Sequence, residues 1–240
     1  MVHPTAHDTP PMITLFLDTS TGPGGIALTR NGQLLAESSL HAGGKRQNSW
    51  LLPEVERLLA LCGLTAAGID LFACATGPGA FTGIRTAVAT IQGLALATDK
   101  PCIGISSLAL LAMNIPLSPY PVCPLLDARK NEVYAGLYRC NGLPEPLRAD
   151  QTLAPETLLS TLSGPVIFLG DGACRYRDLI QSRMGAEAHF AADCHQTPRP
   201  VCGALLAEAA FRQGHSLSPE ALLPAYLRLS EAELSRQQKI

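Results

Sequence analysis

The segment Gly77-Pro78-Gly79-Ala80-Phe81-Thr82-Gly83-Ile84-Arg85 constrains the fold of this chain more than any other. Three glycines and a proline fall within seven residues, which no helix or strand interior tolerates. The segment follows a short apolar run, 69–75, and opens a long apolar stretch. It reads as a tight loop in front of a helix, with backbone N–H groups free to point at a partner group. Beyond the loop, Ile84, Val88, Ile91 and Ala95 keep one helical stripe. Ala87, Ala89, Gly93 and Ala97 between them let neighbouring backbones approach closely. Such a unit is either a phosphate loop or a packing device. No Gly-Lys-Ser/Thr follows at P-loop spacing.

At 240 residues the chain has room for one large domain or two small ones. Apolar residues make up 47% and charged residues 16%, a composition that excludes a disordered body. A formal net charge of −2, with no run of Lys and Arg, excludes a protein that holds nucleic acid through its own global field. The eight cysteines are dispersed and form no C-x-x-C pair. They read as reduced, mostly buried thiols of a cytoplasmic protein, not as disulfides or a zinc site. Residues 1–11 are polar and proline-rich, lack the apolar centre of a signal peptide, and read as a disordered extension. His3 and His7 have the spacing of a helical metal pair, but Pro4, Pro10 and Pro11 oppose that helix. No apolar run is long enough to span a bilayer.

Residues 12–17 read as a buried strand ending at Asp18-Thr19-Ser20-Thr21. The chain turns at 22–25 and returns over 26–29, Asn31-Gly32 marks a hairpin, and 33–40 completes an antiparallel meander. After Gly43-Gly44 a helix covers about 48–62, with Asn48 as its cap and Gly63 at the C-terminal cap position. A strand at 69–75, the Gly77 loop with its helix, a strand at 101–105 and a short helix at 107–113 complete a first unit, 12–113. Three prolines in 114–121 mark a linker. In the second unit, 114–240, strands at 122–126 (ending in Asp127) and 132–139 precede a helix at 155–162. A strand at 166–169, a loop at Gly170-Asp171-Gly172 and a helix at 201–213 follow. Strand, acidic turn and second strand occur in both halves, which predicts a duplicated α/β unit.

Six blocks in order carry a resemblance. They are Asp18-Thr19-Ser20-Thr21, the Gly77–Arg85 block, Gln92-Gly93-Leu94-Ala95, Ile103-Gly104-Ile105-Ser106-Ser107-Leu108, Asp127-Ala128-Arg129 with Glu132-Val133-Tyr134, and Tyr226-Leu227-Arg228. Over residues 12–232 the chain resembles the TsaB (YeaZ) family. The resemblance implies an α/β, actin-like ATPase (ASKHA) fold of two RNase H-like subdomains. It implies a non-catalytic scaffold subunit for N6-threonylcarbamoylation of adenosine 37 in tRNAs that read codons beginning with adenosine. The implied partners are a larger TsaD-like paralogue, which carries the metal and transfers the threonylcarbamoyl group from its adenylate, and a TsaE-like ATPase. It further implies that tRNA is reached only through the complex, that the protein is cytoplasmic with no membrane role, and that there is no cofactor beyond a nucleotide at the complex interface. An isolated homodimer, or an ATP-dependent kinase-like enzyme on the same fold, are the alternatives. The family often has His-Ser ahead of its Leu-Leu-Pro block, where this chain has Asn48-Ser49-Trp50.

No catalytic residue is assigned. Asp18, Thr19, Gly77 and Gly79 are candidates for a weak nucleotide contact. The structural alternative is that Asp and Thr side chains bond the turn's own backbone, each bond contributing ~0.5–1.5 kcal/mol. Ser20 and Thr21 replace the small residues that would let a phosphate approach the backbone. His41, His189, His195 and His215 include no pair four apart, so the helical H-x-x-x-H of a metal-bearing transferase is absent. Arg85 could meet an anion at the loop, pair with Asp70, or cover apolar surface with its stem. Asp127-Ala128-Arg129 is a salt-bridged turn or a partner contact. The apolar bands of the two helices exceed what one-sided burial needs. Trp50, Leu51, Leu52, Val55, Leu58 and Leu59, with Ile84, Val88 and Ile91, are therefore the candidate partner seam, in a four-helix arrangement. Trp50 is expected there as an exposed anchor.

Overall fold

The structure, a computed structural model, describes residues 11–22, 24–40 and 50–228. The expected extension (save Pro11), the Gly43-Gly44 loop and the Asn48 cap lie outside the described residues.

The first lobe is a five-stranded sheet of order β3-β2-β1-β4-β5. Its strands are β1 (Ile13–Asp18), β2 (Gly24–Arg30), β3 (Gln33–Leu40), β4 (Leu71–Gly77) and β5 (Cys102–Ser106). The antiparallel meander β1–β3 is joined to parallel β4 and β5. Alternation along each strand sorts the side chains into two cores. Leu15, Leu17, Ile26, Leu28, Phe72 and Cys74 face α1 (Leu51–Leu61) and α2 (Phe81–Thr98). Phe16, Ala27, Leu71, Ala73 and Ala75 face α7 (Pro200–Arg212). The Asn31-Gly32 hairpin forms as expected, with Arg30 opposite Gln33 and both loop residues at positive φ. Gly63, at φ +64°, closes α1 as a Schellman cap: its N–H reaches Ala60 O, and the Leu64 N–H reaches Leu59 O.

The second lobe repeats the topology as β10-β9-β6-β7-β8. It comprises β6 (Val122–Arg129), β7 (Glu132–Asn141), β8 (Leu143–Leu153), β9 (Val166–Leu169) and β10 (Ala188–Phe190). Here α4 (Pro155–Ser160), α5 (Asp171–Arg175) and α6 (Arg177–Met184) cover one face. The other face packs on α3 (Ser107–Ala112), the helix that leaves the first lobe. Two sheets with one strand order in tandem are the RNase H-like pair of an actin-like α/β fold.

Three differences from the sequence pattern bear on the site. The eleven-residue β8 carries Pro144 and Pro146 and half-exposed leucines, so no clean alternation marks it. Gly170-Asp171-Gly172 opens α5 instead of ending as a loop, and α6 follows it. The third difference concerns the boundary between the lobes. Helix α7 packs on the first sheet through Cys202, Ala204 and Ala207, and Leu222 joins the core beneath α2. The chain after residue 199 thus returns to the first lobe, because α7 supplies the apolar cover its second face needs.

Candidate functional site

The Asp18 turn and the Gly77 loop do come together, but they close on each other. Thr19 Oγ1 donates to the Gly83 carbonyl at 2.6 Å, and the Ala80 N–H donates to Ser20 O at 2.7 Å. A Cβ on Gly79 would fall 2.1 Å from Ser20 O, and one on Gly83 would fall 1.8 Å from Thr19 O. Residue 225 seals the other side: the Ala225 N–H donates to Thr76 O at 2.8 Å, and a Cβ on Gly77 would meet Ala225 O at 2.8 Å. Asp18 and Thr19 are buried. Burial pushes the Asp18 carboxyl above its ordinary range, while hydrogen bonds from Ser20 pull it back only in part. Turn and loop abut backbone to backbone, and the Ala80 N–H is taken by Ser20 O. Of the two roles the loop's sequence permits, packing device is the one this geometry performs.

The helix faces require a correction. Leu51, Val55, Leu58 and Leu59 on α1, and Ile84, Val88 and Ile91 on α2, are all buried in the core of the first lobe. Their stripes are taken up by the sheet, which has a full apolar face to cover. In this fold they are not a surface. Trp50 is half-buried; its ring lies over Gly24, where a Cβ would come within 2.7 Å of it, so it is not the exposed anchor expected. Only Leu52 of the nine residues points outward, at 51% exposure.

The outward faces lie a third of a turn away. On α2, Thr82, Arg85, Ala89, Gly93 and Leu96 follow one another at helical spacing and are exposed. Leu96 is 65% exposed, and nothing stands within 4 Å of where a Gly93 side chain would begin. On α1, Leu52 and Leu61 are exposed on opposite flanks, the latter at 69%, with Glu56, Arg57 and Ala60 exposed between them. Helix α1 covers β2 and β3, and α2 covers β4 and β1, so the two outward faces share one side of the sheet.

A strap, residues 217–228, flanks α2. Gln92 Nε2 donates to the carbonyls of Pro219 and Leu222, both at 3.0 Å. The Arg85 guanidinium sits 3.9 Å over the Phe81 ring, its Nε donates to Tyr226 OH at 2.8 Å, and the two rings stack. Asp70 is therefore not the partner of Arg85; it takes Lys100 at 3.6 Å and the Ile13 N–H. The Tyr226-Leu227-Arg228 block carried the only sequence signal for this strap, and nothing in the sequence said where it would land. In the second lobe Asp127 pairs with Arg175 at 2.6 Å and accepts the Arg129 N–H, a salt-bridged turn. Burial raises the pKa of Asp171, which accepts the Asp127 N–H.

Among the described residues no group of three or more His, Cys, Asp or Glu side chains is placed to hold a metal ion. No helix among them is long and apolar enough to cross a membrane. Five of the eight cysteines are buried, and Cys174 and Cys194 are exposed.

Comparison with known proteins decides the family. TsaB of Bacillus subtilis, a tRNA threonylcarbamoyladenosine biosynthesis protein, is 33% identical over 228 residues, covering 92% of this chain and 96% of that protein. The chain belongs to the TsaB family. The solved structure of YeaZ from Pseudomonas aeruginosa matches with a TM-score of 0.79 and 31% identity, over 90% of this chain and 100% of that one. The family model described as TsaD, tRNA N6-adenosine threonylcarbamoyltransferase, matches residues 42–236. A tRNA N6-adenosine threonylcarbamoyltransferase of Solidesulfovibrio magneticus is 29% identical over 165 residues, 63% of this chain and 42% of that protein. This TsaB-family chain is thus similar to proteins named for the transferase as well as to those named TsaB.

Proposed function

We propose that this chain is a non-catalytic scaffold subunit in the biosynthesis of threonylcarbamoyladenosine in tRNA. It binds and activates a TsaD-like transferase through the outward faces of α1 and α2. The observation that carries this reading is the open ridge of Ala89 and Gly93 with Leu96 on α2, together with Leu52 and Leu61 on the two flanks of α1, on a chain whose Asp18 turn is buried. Small residues on an exposed helix let a partner helix approach closely, and the leucines supply apolar area at its edges. Similarity to a transferase supports a paralogue as partner, because a related lobe would present an equivalent pair of helices. The closed Gly77 loop supports a chain with no nucleotide of its own, nucleotide entering only where the two proteins meet. A net charge of −2 supports tRNA contact through the complex. A TsaE-like ATPase is the expected third member, and the compartment is the cytoplasm.

The test is co-purification with the TsaD-like protein of the same organism, followed by a tRNA threonylcarbamoylation assay. Gly93→Arg should abolish the heterodimer and the modification while leaving the chain folded by circular dichroism. A heterodimer unaffected by Gly93→Arg and Leu52→Asp would move the interface elsewhere. A self-associated chain that ignores the transferase, or ATP turnover by the chain alone, would replace the scaffold reading.

A further inference from the structure

The junction between the lobes holds a half-buried hydrogen-bond chain. Ser106 ends β5 in the first lobe. Its hydroxyl oxygen accepts the N–H groups of Leu108 and Ala109 at 3.1 and 3.2 Å, and its proton goes to Asp150 Oδ2 at 2.5 Å. Tyr138 OH donates to the other oxygen, Asp150 Oδ1, at 2.5 Å. Asp150 stands on β8 and Tyr138 on β7, both in the second sheet. One carboxylate thus bonds a hydroxyl from each lobe. Gly136 leaves the room for it: a Cβ there would lie 2.5 Å from the Tyr138 ring and 2.6 Å from Asp150 Oδ1.

A charged acceptor makes these bonds the stronger class, and the Ser106 hydroxyl passes polarisation from α3 to the carboxylate. Burial, and then the charge of Asp150, push the Tyr138 pKa well up, so the phenol stays a donor. The covalent connections between the lobes are β5 running into α3 and the linker to β6, and the stretch that returns to α7. The lobes also meet where α3 packs on the second sheet and where Arg228 reaches Glu132, and the Asp150 bonds are the polar contact at the start of α3.

We propose that Asp150 is an interlobe clamp, whose carboxylate fixes the angle between the two lobes in the free chain. The clamp lies apart from the outward faces of α1 and α2 and acts whatever those faces bind.

The experiment is residue-level amide exchange by NMR, with small-angle scattering, on the full chain and on Asp150→Asn. The variant is expected to speed exchange at Leu108 and Ala109 about tenfold, the scale of one lost hydrogen bond. It should also enlarge the radius of gyration, while amides at the sheet centres, Phe16 and Phe168, keep their protection. Tyr138→Phe, which keeps the ring in place, should shift the same amides in the same direction by less. If Asp150→Asn fails to fold, Tyr138→Phe carries the test. Arg228→Ala removes the more exposed tie between strap and second lobe, Arg228 to Glu132 at 3.1 Å, and should leave Leu108 and Ala109 unchanged. Unchanged exchange at those amides with unchanged scattering overturns the clamp. So does uniformly faster exchange across both sheets, which would make Asp150 a general stabilising group.

Discussion

The two lobes share a strand order and a packing device, yet they use the end of their first strand differently. In each, glycines ahead of or within the helix after the fourth strand let it abut backbone in or just beyond the first strand. Gly79 and Gly83 meet Ser20 and Thr19 in one lobe, and Gly170 and Gly172 meet Leu125 in the other. Each lobe also places a carboxylate at that end. Asp18 is buried and answered by its own turn, whereas Asp127 is half-exposed and answered by Arg175. The helices differ as well. The eighteen-residue α2 offers a bare outer face, while the corresponding stretch of the second lobe breaks into the short α5 and α6. One topology thus yields a lobe with a sealed turn and an open helix, and a second lobe with an open turn and small, charged helices. Surface for a partner is concentrated on the first.

The largest expected effect separates the glycines. Gly83→Ala puts a methyl group 1.8 Å from the Thr19 carbonyl oxygen, inside a contact between two rigid backbones. A loss of about 3 kcal/mol or more is expected, since overpacking against backbone has no side chain to yield. Gly172→Ala places its methyl 3.0 Å from Leu125 and requires only a small shift, so about 1 kcal/mol is expected. Urea denaturation midpoints measure both. Equal losses would mean that the helix–strand contact is no tighter in the first lobe than in the second.

The carboxylates should respond with opposite signs. Because burial raises the folded-state pKa of Asp18 above its unfolded value, the fold prefers the protonated form. Its contribution to stability is whole below the unfolded pKa and is lost as pH rises through the folded one. Asp18→Asn should therefore stabilise the chain at pH 7, and the gain should vanish towards pH 3. Asp127→Asn loses the pair with Arg175, which is itself about half exposed at 49%, so only a small loss is expected. Thermal melts between pH 3 and 7 decide it; a destabilised Asp18→Asn at neutral pH would show that the buried carboxyl is bound as the anion.

What was legible in the sequence follows the same division. The meander, the Gly77 loop and α2 announce themselves, because alternation, turn residues and helical stripes act locally. The outward direction of the helices did not. A broad apolar band records how much surface is covered, and only the sheet beneath decides which side is core. Val55 and Val88 look like a seam in the sequence and are core in the fold. The Tyr226 partner of Arg85, the carbonyls that Gln92 bonds and the Ser106 partner of Asp150 lie between 44 and 141 residues away along the chain, beyond any local pattern. The return of α7 to the first lobe is equally non-local, since α7 covers a face made from strands more than ninety residues earlier.

The smallest effect concerns two hairpins that solve one problem with different residues. Asn31-Gly32 and Lys130-Asn131 are both two-residue loops, with φ of +51° and +77° in the first and +51° and +60° in the second. A loop of that length matches strand twist only with both residues left-handed, which glycine and asparagine supply at least cost. The first lobe puts its glycine at the second position; the second lobe puts asparagine there. Asn131→Gly should gain at most about 0.5 kcal/mol, because relief of the left-handed strain is partly offset by the freedom glycine adds to the unfolded chain. Gly32→Ala should lose about 1 kcal/mol, since alanine has no local hydrogen bond to offset the same conformation. A loss on Asn131→Gly would mean that the asparagine amide contributes a bond of its own, as Asn31 does in the first hairpin, where its Oδ1 accepts the Met12 N–H at 2.8 Å.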